Sequence, residues 1–324
     1  MTNRRLTMKL AALALVALGG ASPAEAAGWP ERPINLIVPY PPGGLTDIVS
    51  RIVGEQLGKE LNTPVVIQNR SGAGGKIGLQ AMLQAPRDGY TFALVVPATM
   101  VTLPLTNEAY KIKPLEQFEP LTIAVDTFLT LVVDRRLDIK TLKDFSAYAK
   151  QNPGKLNYGT PGAGTSFHFN NVMMAQKLGI VAQHVPYTGE VQVLNDVTGG
   201  QLQYALVSNA GKTFIESGQV RALAVSAQQR VQSFPNVPTF KELGVDFSSD
   251  GWVGYVAAKG TPKPIVDKLQ QAIVRAVSAP QVRTRLAEMG YQVVGNTPAE
   301  FRQIVQSSTE RYAALLRSGA VKLD

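Results

Sequence analysis

Twice in this chain a short apolar run empties into a glycine-rich loop free of lysine and arginine, and the loop opens straight onto a helical pattern. The first is Tyr40-Pro41-Pro42-Gly43-Gly44-Leu45-Thr46-Asp47, and the second, about 120 residues on, is Gly159-Thr160-Pro161-Gly162-Ala163-Gly164-Thr165-Ser166. A strand that turns through glycine into a helix is the repeating unit of an α/β protein. Each such turn leaves the first amides of its helix without an intrahelical acceptor, at the positive end of the helix dipole, where a carboxylate can take them up. Two of these ends in one chain predict a clamp around one anion.

The hydrophobic rhythm agrees with that unit. Ile34 to Val38 reads as a buried strand, Ile48, Val49, Ile52, Val53, Leu57 and Leu61 recur at helical spacing, and Val65 to Ile67 and Thr91 to Val96 read as further strands. After Pro120 the pattern restarts: strands at Leu129 to Val133, Lys155 to Tyr158, Val185 to Tyr187, Tyr204 to Val207 and Ala222 to Val225, with helices at Leu142 to Tyr148 and through Phe169, Val172, Met173 and Leu178. A strand from Trp252 to Ala257 then leads into three helices, the first opened by Pro264 and the last carrying Glu300 in its first turn. At 324 residues, 45% of them apolar, two cores are the default.

The N-terminus has the pattern of an export signal: cationic Arg4, Arg5 and Lys9, an apolar Leu10 to Leu18, and Ala24-Glu25-Ala26 as a small-residue cleavage site ahead of Ala27. That apolar run is far below the ~20 residues that span a bilayer. The absence of cysteine excludes disulfide scaffolds and thiolate chemistry, and an exported cysteine-free chain of this size suits the bacterial periplasm. A leader cut before Ala27 takes three cations and one anion with it, lowering the net charge from +8 to about +6. The basic residues form no run of five or more, so nucleic acid is excluded as a partner.

Candidate chemistry is sparse. Gly72-Ala73-Gly74-Gly75-Lys76 has Arg70 and Ile77 where a phosphate loop needs glycine and a hydroxyl residue. Gly164-Thr165-Ser166-Phe167-His168 has His168 where a nucleophile elbow needs its second glycine, and on a helix Ser166 and His168 point about 200° apart. Thr165 and Ser166 read as helix caps, a role compatible with ligand contact. The two histidines, His168 and His184, fit no metal-ligand spacing; His184 reads as structural, while His168 is open between a structural and a ligand-facing role. Asp47 would repel an anion if it faced the cleft, so its first-turn position reads as structural as much as functional. No cofactor and no metal are expected.

These motifs resemble the periplasmic solute-binding receptors of tripartite tricarboxylate transporters, the Bug family. The resemblance is carried by Trp29-Pro30, Arg32-Pro33-Ile34, Val38 to Gly44 with Thr46-Asp47, Gln68-Asn69-Arg70 with Gly72 to Gly75, Asp88 to Thr91, Pro153 to Leu156, Gly162 with Gly164-Thr165, His184 to Tyr187, Arg221 to Val225, Val237 to Thr239 and Gly260 to Pro262. It implies an α/β, two-domain Venus-flytrap fold of the type II periplasmic-binding-protein kind, each domain a mainly parallel sheet flanked by helices. On that reading residues 1–26 are the signal peptide, 27–125 plus 251–324 the first domain, and 126–250 the second.

The resemblance also implies a monomer that holds a small organic carboxylate between the domains and delivers it to membrane transporter subunits. The implied contacts are Tyr40, Gly43, Gly44, Leu45, Thr46 and Asp47 on the first loop, Thr160, Gly162, Ala163, Gly164, Thr165, Ser166 and His168 on the second, Thr99, and Ser208 with Asn209. Many members carry an aspartate where Val207 stands, suited to a ligand's ammonium, so a di- or tricarboxylate without an amine, aliphatic or aromatic such as terephthalate, fits better than an amino acid. Leu45 replaces a frequent glycine and reshapes the cleft. A sensory receptor of the same fold and a periplasmic enzyme are the competing functions, the latter without a nucleophile, base and orienter to support it.

Overall fold

The computed structural model describes residues 28–323; the export signal and its cleavage site lie outside them. The chain builds two β-sheets, each covered by helices on both faces, as the α/β fold requires. The first sheet uses β1 (Ile34–Val38), β2 (Val65–Asn69), β3 (Thr91–Val95), β4 (Phe118–Asp126), β10 (Trp252–Ala258) and β11 (Gln292–Val293), in the order β11-β4-β10-β3-β1-β2. The second uses β5 (Thr130–Asp134), β6 (Leu156–Thr160), β7 (Ala182–Pro186), β8 (Tyr204–Val207) and β9 (Val220–Val225), in the order β7-β6-β8-β5-β9. Helices of eight or more residues are α1 (Leu45–Glu60), α2 (Lys76–Gln84), α3 (Leu142–Gln151), α4 (Ser166–Leu178), α5 (Glu190–Gly199), α6 (Lys263–Ser278), α7 (Pro280–Glu288) and α8 (Pro298–Arg317). None of the described helices is long and apolar enough to cross a membrane.

β1 is apolar at four of five positions because β2 and β3 flank it and helices cover both of its faces. One face packs Val49, Ile52, Val53 and Leu57 of α1 against Leu269, Ile273 and Val277 of α6. The other packs Leu79 and Met82 of α2 with Phe301 and Val305 of α8. In the second lobe Phe145 of α3 and Met174 of α4 cover one face, Val193, Leu194 and Val197 of α5 the other. Capping boxes set two starts: Thr141 with Asp144 on α3, and Thr297 with Glu300 on α8.

The sheets are mixed rather than mainly parallel. β1 pairs in parallel with β2 and β3, and β6 with β7 and β8, as βαβ units demand. The strands adjoining the crossings run the other way: β10 is antiparallel to β3 and β4, and β5 to β8 and β9. The reason is topological, since the chain leaves the first sheet on β4, enters the second on β5, and returns on β10 without a covering helix to reverse it. β4 itself is absent from the sequence reading, where Pro120 marks a break. The register skips there, pairing Tyr255 with Thr122 and Val256 with Pro120, so Leu121 has no partner and the proline sits beside a bulge, where a missing N–H costs little.

The lobes meet over substantial contacts. Phe169 of α4 stacks on Tyr312 of α8 with ring centroids 4.2 Å apart, both buried. Arg311 Nη2 lies 2.7 and 2.8 Å from the carboxylate oxygens of Asp250 on the returning crossing, and the Asp250 amide donates to Asn170 Oδ1 on α4.

Candidate functional site

The heads of α1 and α4 open onto one cavity of about 380 Å³ between the lobes. Leu45 begins α1, Ser166 and Phe167 begin α4, and all three line it, together with Val96, Pro97 and Ala98 after β3 and Ser208, Asn209 and Ala210 after β8. Its floor is the hinge: Thr127, Phe128 and Leu129 on the outgoing crossing and Asp250 and Gly251 on the returning one, tied by the Thr127 amide donating to the Gly251 carbonyl at 2.8 Å. Among the described residues the lining contains no lysine, arginine or histidine, and its one carboxylic acid, Asp250, is paired with Arg311. An anion held here would rest on backbone amides and neutral polar groups.

The first loop is organised from within. Gly43, at φ +82°, adopts a left-handed conformation that favours glycine, and its amide donates to Asp47 Oδ2 at 2.9 Å. The same carboxylate accepts from Arg51 Nε at 2.9 Å, and its other oxygen from Asn69 Nδ2 at 2.9 Å. The Arg51 bond, with help from Gly43 and Asn69, pulls the Asp47 carboxyl down to about 2 against a desolvation cost. The Asp47 carboxylate is thus engaged within its own loop and lies outside the cavity lining. Gly44 is the N-cap and supplies no side chain to the first-turn amides. Tyr40 and Thr46 are half-buried outside the cavity lining; the Tyr40 carbonyl accepts from Asn69, and burial pushes its hydroxyl well above the ordinary range.

The second loop has a parallel construction. Gly164, at φ +68°, donates its amide to His168 Nδ1 at 3.3 Å. Thr165 is the N-cap, accepting from the His168 amide at 3.4 Å while its hydroxyl donates to the Gly162 carbonyl at 2.8 Å. The Thr160 hydroxyl lies 3.0 Å from that carbonyl and 2.6 Å from His184 Nε2, tying the loop to β7. His168 and His184 stack with centroids 3.7 Å apart. Burial lowers both to about 4, His184 adding to the effect on His168, so both are neutral at pH 7. Thr160 and His168 are 1% and 2% exposed, and with Gly162, Ala163, Gly164 and Thr165 they form the loop's frame behind Ser166.

Of the remaining expected contacts, Thr99 is fully buried, its hydroxyl donating to the Val96 carbonyl and its own carbonyl accepting from Tyr110. Its frame presents Ala98 to the cavity instead. Ser208 lines the cavity while its amide and hydroxyl both bond Glu190, whose carboxyl is pushed up by burial and held down in part by those two bonds. Asn209 Nδ2 reaches across the cleft to the Met289 carbonyl at 2.8 Å, leaving Oδ1 buried without a hydrogen-bond partner among the described residues.

Thus Leu45, Ser166, Ser208 and Asn209 converge on the cavity, and the other expected residues brace the loops that present them. Reading the sequence missed Phe128, Phe167, Asn170, Asp250, Trp252 and Tyr291. Phe167 and Asn170 had a signal, their places beside and one turn after Ser166 on α4; Phe128 and Asp250 arrive from the crossings, Trp252 from the start of β10 and Tyr291 from the turn after α7.

Residues 49–320 match the family described as "Tripartite tricarboxylate transporter family receptor". The chain belongs to this family. Among curated proteins of similar sequence is Protein BugT of Bordetella pertussis, 33% identical over 309 residues that cover 94% of each chain. Among solved structures, one described as that of a periplasmic transporter is 32% identical, with a TM-score of 0.74 over 91% of this chain and 100% of that one. Rpa4515 of R. palustris, solved with adipate, is 28% identical, with a TM-score of 0.74 over 90% and 99%. The receptor family's two-lobed fold thus accounts for the paired sheets and the cavity between them.

Proposed function

We propose that the chain is a periplasmic receptor that captures a small organic carboxylate in the cavity between its lobes and delivers it to membrane subunits of a tripartite transporter. The observation that carries this reading is the meeting of two helix heads, at Leu45 and Ser166, on one cavity without a cationic side chain. With Gly43 and Gly164 engaged by Asp47 and His168, the amides of the first helical turns are the donors aimed at the guest. Adipate in the Rpa4515 structure is a carboxylate of the kind such ends would hold.

A dissociation constant of ~1 μM requires about 8 kcal/mol. A helix terminus in a partly buried setting offers up to ~2 kcal/mol, and each hydrogen bond to a charged group about 1.5–3 kcal/mol, so two loops suffice where one does not. The ligand then favours the closed arrangement, which a membrane partner can read. The test is thermal stabilisation by a carboxylate panel. The parent chain should be stabilised by at least one acid, and the double change Thr165→Phe with Ser166→Phe should abolish the shift. A shift that survives the double change would remove the second loop from the site.

A further inference from the structure

We infer that the guest of this cavity is a carboxylate built on a flat aromatic ring, a narrowing that rests on the carboxylate-receptor reading above. The walls are the reason. Phe167 at the head of α4 and Tyr291 in the turn after α7, both half-buried, border the space from opposite lobes; Phe128 on the outgoing crossing and Trp252 at the start of β10 also border it, 5% and 3% exposed, with their rings packed edge-on against Phe234 and Phe301. Aromatic rings lining a pocket reward a flat π-bearing guest with offset or edge contacts beyond the area they bury.

The polar inventory points the same way. A citrate-like guest brings three carboxylates and a hydroxyl, and each buried charge without a partner costs several kcal/mol. Against this the cavity offers two helix heads, a few neutral side chains and one acid, Asp250, whose charge is already taken by Arg311. Anionic ends at the helix heads with an apolar middle between them match this distribution, and hydroxyl-rich acids do not. Phe128 gives the middle of the guest a direct purchase on the hinge, because it is a crossing residue that also packs edge-on against Phe234 of the second lobe at 6.1 Å. A ring seated against Phe128 therefore touches the segment that must bend for the lobes to close.

The experiment is isothermal titration of the mature chain with terephthalate, benzoate, adipate, malate and citrate. The inference expects terephthalate, with a carboxylate for each helix head, to bind tightest, and Phe167→Leu and Tyr291→Leu each to narrow the terephthalate-to-adipate affinity ratio by roughly 3- to 10-fold. Adipate, malate or citrate binding more tightly than terephthalate would overturn the inference and leave the receptor reading standing. A ratio unchanged in both variants would also overturn it. No binding to any of the five acids would overturn the inference, and the receptor reading falls with it only when no acid of the wider carboxylate panel stabilises the chain.

Discussion

The amide of Gly164 donates to Nδ1 of His168, four residues further on, at 3.3 Å. In the other lobe the amide of Gly43 donates to Asp47 Oδ2, again four residues further on, at 2.9 Å. Two loops on different sheets thus reach the same device, in which a first-turn side chain turns back to hold the glycine that lets the chain enter its helix. The chemistry of the two acceptors differs, and so does their response to acid.

His168 and His184 titrate near 6.5 when unfolded and near 4 when folded, so between those values the unfolded chain binds more protons. Stability is therefore undiminished above about pH 6.5 and falls as the pH drops from there to about 4. Melting temperature against pH should show this slope. His168→Asn, which keeps an acceptor for Gly164 but cannot titrate, should flatten it by about half; a full slope in that variant would clear the pair of responsibility.

Asp47 behaves in the opposite sense. Its folded value of about 2 lies below the ordinary 3.8, so its contribution is complete above about pH 4 and vanishes as the pH falls through 2. Asp47→Ala strands the Gly43 amide and frees Arg51, and should cost about 2 kcal/mol in urea unfolding at pH 7. Asp47→Asn should cost less, because an amide oxygen still serves Gly43.

Asn209 is the polar bridge across the mouth of the cleft, through the Met289 carbonyl. Asn209→Ala should loosen closure and weaken ligand affinity by roughly 5- to 10-fold, the equivalent of about 1 kcal/mol for one lost hydrogen bond. Titration calorimetry reads the affinity, and small-angle scattering reads the radius of gyration, which should rise.

Phe169 on Tyr312 is the apolar counterpart, a stacked pair joining α4 to α8 across the lobes. Phe169→Ala empties a fully buried site and should cost about 3–5 kcal/mol. Phe169→Leu, which keeps most of the volume, should recover most of that cost in the same unfolding assay.

Local rules made much of this molecule legible in its sequence. Alternating apolar runs, Pro264 in a first turn, Glu300 three residues after Thr297, and glycines where only a positive φ continues the chain are instructions read over a few residues. They were enough to place most strands and helices, both glycine loops and the receptor family. β4 escaped because Pro120 argues locally against a strand, and only its pairing with β10, more than 130 residues away, supplies the bulge that accommodates it.

The tertiary structure alone decided which way the loop side chains point and what the cavity is made of. Asp47 and His168 sit on glycine loops that the sequence marks for anions, yet Arg51 and Asn69 turn the first inward and the buried stack with His184 turns the second. Phe128, Asp250, Trp252 and Tyr291 carry no motif, because a wall assembled from distant segments has no local signature. The sequence determined the elements and their two helix heads, since those rest on short-range sterics and periodicity. The packing of two lobes across a hinge decided the site, since contact between residues far apart in the chain exists only once both sheets have formed.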